Sequence, residues 1–168
     1  MGTLYLMRHG KAKWAEPGKR DFDRKLEDRG VSDAKAIGRE LKSRGIMPDK
    51  IICSTAARAQ QTIEAVNCEL GATDRVISTD DLYGTDAPGY LEIASGSGAA
   101  NSIMLVGHNP MLEDLALALS QNGPAEHIDA LNMGFRTAGC VAIEFDGAPA
   151  GFLGRTGKLA FYLTPADL

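Results

Sequence analysis

Apolar residues along the chain gather in short runs that alternate with stretches of helical period. Leu4-Tyr5-Leu6-Met7 opens as a buried strand. Residues 10–30 are polar, contain Pro17, Gly18 and Gly30, and read mostly as a long loop. From about Val31 to Arg44, Ala34, Ile37 and Leu41 share one helix face, with Gly45 as the cap and Pro48 as the stop. Ile51-Ile52-Cys53 predicts a second strand. Ala59, Ile63, Val66 and Leu70 predict a second helix, closed by Gly71. Val76-Ile77 marks a short third strand, followed by a loop from Asp80 to Pro88, a helix over about 88–95 and a Gly/Ser turn at 95–98.

Ile103-Met104-Leu105-Val106 is the clearest buried strand. Pro110 suits the first position of the helix after it, with Asn109 as its N-cap. Leu112, Leu115 and Leu119 line that helix, which Gly123-Pro124 ends. Two late segments, about 139–145 and 158–163, alternate enough to form a hairpin across the loop 146–157. There is no internal repeat and no linker. The pattern predicts one domain over residues 1–168, of α/β class: a three-layer α/β/α fold whose central sheet is mainly parallel, with the C-terminal antiparallel hairpin added at an edge.

Composition narrows the class. With 168 residues, 44% hydrophobic and 24% charged, the chain can bury a core. Its net charge of −4 argues against a general nucleic-acid binder. No apolar stretch is long enough to span a bilayer, and Arg8-His9 interrupts the first apolar run too early for a signal peptide. Leu6 breaks the myristoylation pattern that Met1-Gly2 would begin. Cys53, Cys68 and Cys140 are scattered, which suits free thiols in a reducing compartment, with Cys53 inert in its strand. These features predict a soluble, cytoplasmic protein with no membrane or nucleic-acid partner.

Three strands are each followed at once by a particular set of polar residues. The first runs into Arg8-His9-Gly10, the second into Ser54 with Arg58 four residues on, and the strand at 103–106 into Gly107-His108-Asn109. In an open parallel sheet, ligands bind beyond the carboxyl ends of the strands. Two arginines and two of the three histidines therefore converge on one edge. None of the three motifs holds a carboxylate, and no HxH or HxxxH spacing suits a metal, so no metal and no cofactor are expected. A tetrahedral dianion fits: guanidinium groups grip phosphate oxygens, and Arg58 in the first turn of a helix adds backbone donors. Neighbouring cations should lower the pKa of His9, leaving a neutral nucleophilic ring nitrogen. A hydrogen bond from its other nitrogen to a backbone carbonyl would fix the tautomer. The implied chemistry is phosphoryl transfer through a phosphohistidine formed on the protein and then hydrolysed.

These residues also carry a resemblance. Leu6-Met7-Arg8-His9-Gly10 resembles the RHG signature of the histidine phosphatase (phosphoglycerate-mutase-like) superfamily. Ser54 to Glu64 resembles its second motif, S-x-x-x-R-A-x-Q-T-x-E, and Val106-Gly107-His108-Asn109-Pro110 its third, VGHNP. The resemblance implies a phosphoglycerate-mutase-like fold, His9 as the nucleophile, and Arg8, Arg58 and His108 as holders of the phosphoryl group. The short chain is most similar to the SixA-type phosphohistidine phosphatases. Arg24, Leu26 and Gly30 echo that group's R-P-L-T-x-x-G, with Lys25 in place of Pro and Glu27 in place of Thr, and Leu82-Tyr83 echoes its "LY". The partner implied is a phosphorylated phosphotransfer or phosphocarrier protein, or else a small phosphorylated molecule. Relatives that cleave phosphoesters place an acid after the third strand. Asp80, then Asp81, then Asp86 stand in register for it, although Asp80-Asp81 also suits a plain turn. Phosphoimidazole needs no such acid, because its free ring nitrogen can be protonated.

Other readings stand beside these. A phosphatase or mutase for small phosphate esters would use the same nucleophile, and a non-catalytic phosphate-reading module would need only the arginines. His127 reads as a surface-loop residue. Trp14 could wall the pocket, dock a partner or cover the core.

Overall fold

Ile103 to Val106 are all buried, as a strand covered on both faces must be. The computed structural model, which describes residues 1–168, places them inside a seven-stranded sheet. The strands are β1 (Gly2–Arg8), β2 (Lys50–Ser54), β3 (Val76–Thr79), β4 (Ser102–Gly107), β5 (Ser120–Asn122), β6 (Cys140–Phe145) and β7 (Gly157–Leu163). Their order is β3-β2-β4-β1-β6-β7-β5. The first four are mutually parallel, β6 runs antiparallel to both β1 and β7, and β5 pairs parallel with β7. The fold class read from the sequence is the one observed, and the late segments do pair as an antiparallel hairpin. The hairpin does not end the sheet, however, because β5 flanks β7 and forms that edge. Its sequence, Ser-Gln-Asn, gives no apolar alternation to read.

Alternate residues of each strand feed opposite faces. Leu4, Leu6, Ile103 and Leu105 join one core with Leu112, Leu115 and Phe135. Met7, Met104 and Val106 join the other with Ile37, Leu41, Ile63 and Val66. Helices α1 (Asp28–Ser43) and α2 (Ala57–Leu70) cover the second face. On the first lie α3 (Asp81–Gly84), α4 (Ala87–Ser95), α5 (Met111–Leu119) and α6 (Ala125–Asn132). Three layers result. No helix is long and apolar enough to cross a membrane.

Several local expectations need correction. Helix α1 begins at Asp28, three residues earlier than its apolar period suggests. Gly30, read as loop, lies in its first turn, packed on Lys11 so closely that a side chain there would collide with the Lys11 carbonyl. Helix α3 occupies part of the loop drawn from Asp80 to Pro88. Helix α5 ends at Leu119, where β5 takes over, rather than at Gly123-Pro124, and Pro124 caps the start of α6, so the half-buried His127 sits on a helix rather than in a loop. The N-cap of α5 is Pro110 rather than Asn109, whose side-chain amide donates instead to the Phe135 carbonyl at 3.0 Å.

Candidate active site

Because β1, β2 and β4 are parallel and adjacent, their carboxyl ends fall on one sheet edge, and β4 lies between the other two. Arg8 ends β1 opposite Gly107 of β4, and the His9 amide donates to the Gly107 carbonyl at 3.1 Å. His9 and His108 therefore leave neighbouring strands side by side, with ring centroids 5.3 Å apart. Arg58 reaches the same place from the first turn of α2, and its Nε donates to His9 Nε2 at 3.3 Å. His9, Arg58 and His108 are buried, and Arg8 is half-buried. Their convergence, inferred from strand ends alone, is what the fold delivers.

Close packing explains the flanking residues. A side chain at Gly10 would meet the Gly30 carbonyl at 2.7 Å, so this strand end and the start of α1 can touch only through glycines. The Gly10 amide donates to Thr62 Oγ1 at 2.9 Å. That hydroxyl in turn donates to the Arg58 carbonyl, pinning α2 to the strand end. A side chain at Gly107 would overlap the Tyr90 hydroxyl, which accepts from the His108 amide and donates to the Leu82 carbonyl.

Electrostatics follow from geometry. His9 Nδ1 lies 2.7 Å from the Gly10 carbonyl. A carbonyl can only accept, so Nδ1 carries the proton and Nε2 keeps its lone pair. The sequence reading expected this bond and a lowered pKa, but assigned the shift to neighbouring cations. Burial is the larger cause, followed among the lowering effects by His108, Arg58 and Arg8, and the pKa falls to about 3. Burial and Arg58 likewise lower His108 to about 4, so both rings are neutral at pH 7. Among these four side chains, two buried polar atoms have no partner: Arg8 Nε, which can only donate, and His108 Nδ1. No group of three or more His, Cys, Asp or Glu side chains is arranged to hold a metal ion.

The sequence reading missed a carboxylate. Asp21 arrives from the polar segment before α1. Its Oδ2 accepts from Arg58 Nη2 and from the Tyr83 hydroxyl, both at 2.9 Å, and its carbonyl accepts from Arg58 Nη1 at 2.8 Å. Burial pushes the Asp21 carboxyl up, but Tyr83 and Arg58 outweigh it and hold the group below its ordinary value. Tyr83 stacks edge-on against His108, and Phe22 stacks edge-on against Tyr83. Nothing periodic marks Asp21, so pattern reading had no means of finding it. Asp80 instead takes the Thr55 hydroxyl, Asp81 faces a separate surface cavity with Glu92, and Asp86 caps α4 through the Gly89 amide. Trp14 is 88% exposed and covers no core.

Residues 4–90 match the family model of the histidine phosphatase superfamily (branch 1). The chain belongs to that superfamily. An uncharacterized protein of Mycobacterium tuberculosis (strain H37Rv) is 30% identical over 145 residues, spanning 84% of this chain and 88% of that protein. A 2,3-bisphosphoglycerate-dependent phosphoglycerate mutase of Mesorhizobium japonicum is 38% identical, but over only 76 residues, 43% of this chain and 36% of the mutase. Among solved structures, a candidate phosphohistidine phosphatase, SixA from Agrobacterium tumefaciens, superposes with a TM-score of 0.82 at 34% identity, covering 98% of this chain and 99% of that one. The residues that carry the three motifs read from the sequence are the ones gathered at this strand edge.

Proposed function

We propose that this superfamily member hydrolyses phosphohistidine on a protein partner, with His9 as the nucleophile. One observation carries the reading: the Gly10 carbonyl holds the Nδ1 proton of a neutral His9, leaving the Nε2 lone pair beside Arg58. In the first step Nε2 bonds to phosphorus as the substrate's imidazole N–P bond breaks, and the departing imidazole takes a proton from solvent. In the second, water bonds to phosphorus, the His9 N–P bond breaks and inorganic phosphate leaves, the water's proton passing to solvent.

Arg8 and Arg58 bind the phosphoryl oxygens and offset the charge that develops on them. Ser54 Oγ accepts from the Ala56 amide and pairs with His108 Nε2 at 2.8 Å, which leaves His108 Nδ1 for the phosphoryl group. The Arg8 Nε–H is a donor without an acceptor, which a phosphoryl oxygen supplies, and His108 Nδ1, also without a partner, binds a second oxygen in the tautomer that carries its hydrogen there. Preference for a nitrogen leaving group rests on the carboxylates. Asp80 is engaged by Thr55 and Asp21 is held ionised by Arg58 and Tyr83, so neither offers a proton to an alkoxide. The reaction needs no metal and no cofactor, and the likeness to the Agrobacterium SixA structure supports the same substrate class.

Incubation with a histidine phosphotransfer domain phosphorylated on its histidine tests this. Phosphate release, with transient acid-labile phosphate on the wild-type chain and none on His9→Ala, is expected. Brisk turnover of sugar phosphates without release from the phosphoprotein would transfer the assignment to small esters. No labile phosphate on either protein would leave only a phosphate-reading module.

A further inference from the structure

The segment 11–25 has an inner and an outer side. Its inner side serves the site: Asp21 holds Arg58, and Phe22 packs on Tyr83. The Lys13 amide donates to the Lys25 carbonyl at 2.8 Å, and Ala12 bridges Leu26, so the segment is closed into a strap rather than left as a loose loop. The outer side faces a cavity of about 230 Å³ lined by Trp14, five Lys and Arg side chains and two carboxylates, Glu16 and Asp23. Residues 11–25 contain six Lys and Arg against three Asp and Glu, in a chain whose net charge is −4.

The charges on this face are available. Lys13 and Lys25 enter no ion pair, and the pairs Lys19–Glu16 and Arg20–Asp23 join side chains that are each more than half exposed. Such pairs contribute little and give way readily to a new partner. Trp14 stands among them at 88% exposure, the most exposed large hydrophobic side chain in the molecule. A solvent-facing indole in a mainly cationic surround serves no packing need, and it has the composition of an interface anchor.

The segment against which the strap packs, through Tyr83 on Asp21 and Phe22, has the reverse sign. Residues 80–92 contain Asp80, Asp81, Asp86 and Glu92 and no Lys or Arg. They meet the site through Tyr83, against His108, and through Asp80, on Thr55 beside Ser54. The mouth is therefore dipolar, basic along the strap and acidic along the start of α3 and α4. A nucleic acid would be repelled by the acidic rim. A small phosphorylated molecule held by Arg8, His9, Arg58 and His108 has no use for a cationic face on the far side of the strap.

We propose that this dipolar mouth is the docking face for a folded phosphoprotein with an acidic surface beside its phosphorylated residue. That surface lies on Lys13, Lys19 and Lys25, and Trp14 is the apolar anchor. The repulsive rim fixes which way round the partner sits. The inference rests on the protein-substrate reading above and adds the surface and the partner's charge.

The test compares two substrates: a histidine phosphotransfer domain of acidic surface, phosphorylated on its histidine, and phosphoramidate, which is too small to touch the strap. The variants are the triple Lys13→Glu/Lys19→Glu/Lys25→Glu and the single Trp14→Ala. For the phosphoprotein, kcat/KM falls about tenfold or more in the triple variant, and its decline with added salt disappears. Trp14→Ala raises KM with kcat unchanged. Phosphoramidate turnover stays within about twofold of wild type in both, which also shows that the variants are folded. Equal losses on both substrates, or unchanged phosphoprotein kinetics in both variants, overturn the docking face. A wild-type chain that handles the phosphoprotein no better than phosphoramidate overturns the protein-substrate reading itself, a separate and recognisable failure.

Discussion

At the scale of single residues, the site is a set of hydrogen-bond assignments. Removing the Asp21 side chain frees Arg58 Nη2 and the Tyr83 hydroxyl, while the Asp21 carbonyl still holds Nη1. A guanidinium held at one point rather than two is less well oriented for a phosphoryl group. Asp21→Ala therefore lowers kcat/KM on phosphoramidate about tenfold, and Asp21→Asn, which keeps an acceptor, recovers most of it; a rise in either variant would show that the carboxylate competes with substrate. A pH effect also belongs here. His9 and His108 have folded pKa values of about 3 and about 4, below the ordinary ~6.5 that they regain on unfolding. Between those values the unfolded chain binds more protons, so stability drops as the pH falls below about 6.5, and the penalty is absent above it. The melting temperature of His9→Gln should fall less steeply than that of wild type between pH 6.5 and 4. Parallel slopes would contradict the depressed value.

At the scale of elements, what positions the chemistry is the contact between strand ends and helix starts. Gly10 and Gly30 let β1 and α1 meet backbone to backbone. Gly30→Ala places a methyl group 2.3 Å from the Lys11 carbonyl, so denaturant titration should show a loss of about 1–3 kcal/mol. Activity should fall too, because the strap that carries Asp21 begins at Lys11. A fully stable variant would mean that the two segments separate at no cost. The connection from α6 to β6 has a similar supporting role. Arg8 Nη1 and the Asn109 amide both donate to the Phe135 carbonyl, while Glu113 accepts from the Phe135 amide. Ala138, a non-glycine residue at φ 58°, donates its amide to the His9 carbonyl.

At the scale of the molecule, two cores on the two faces of one sheet make the edge rigid, and they also sequester thiols. Cys53 and Cys140 are buried, and burial pushes both up to about 12, whereas Cys68 is exposed. A thiol reagent should titrate one cysteine in the native protein and three after unfolding; fast reaction of a second would indicate that the sheet opens. Short buried runs punctuated by Gly and Pro already specified the α/β alternation, the parallel core strands and the late hairpin, because burial on both faces leaves an unbroken apolar signature. The same logic placed Arg8, His9, Arg58 and His108 together, since parallel strands must deliver their ends to one edge. Only the tertiary structure supplied Asp21 on Arg58, burial as the main reason that His9 is neutral, β5 as the edge strand and α6 beyond Pro124. Each depends on contacts between residues far apart in sequence and mostly polar or exposed, where no periodic demand of the core writes a pattern into the chain.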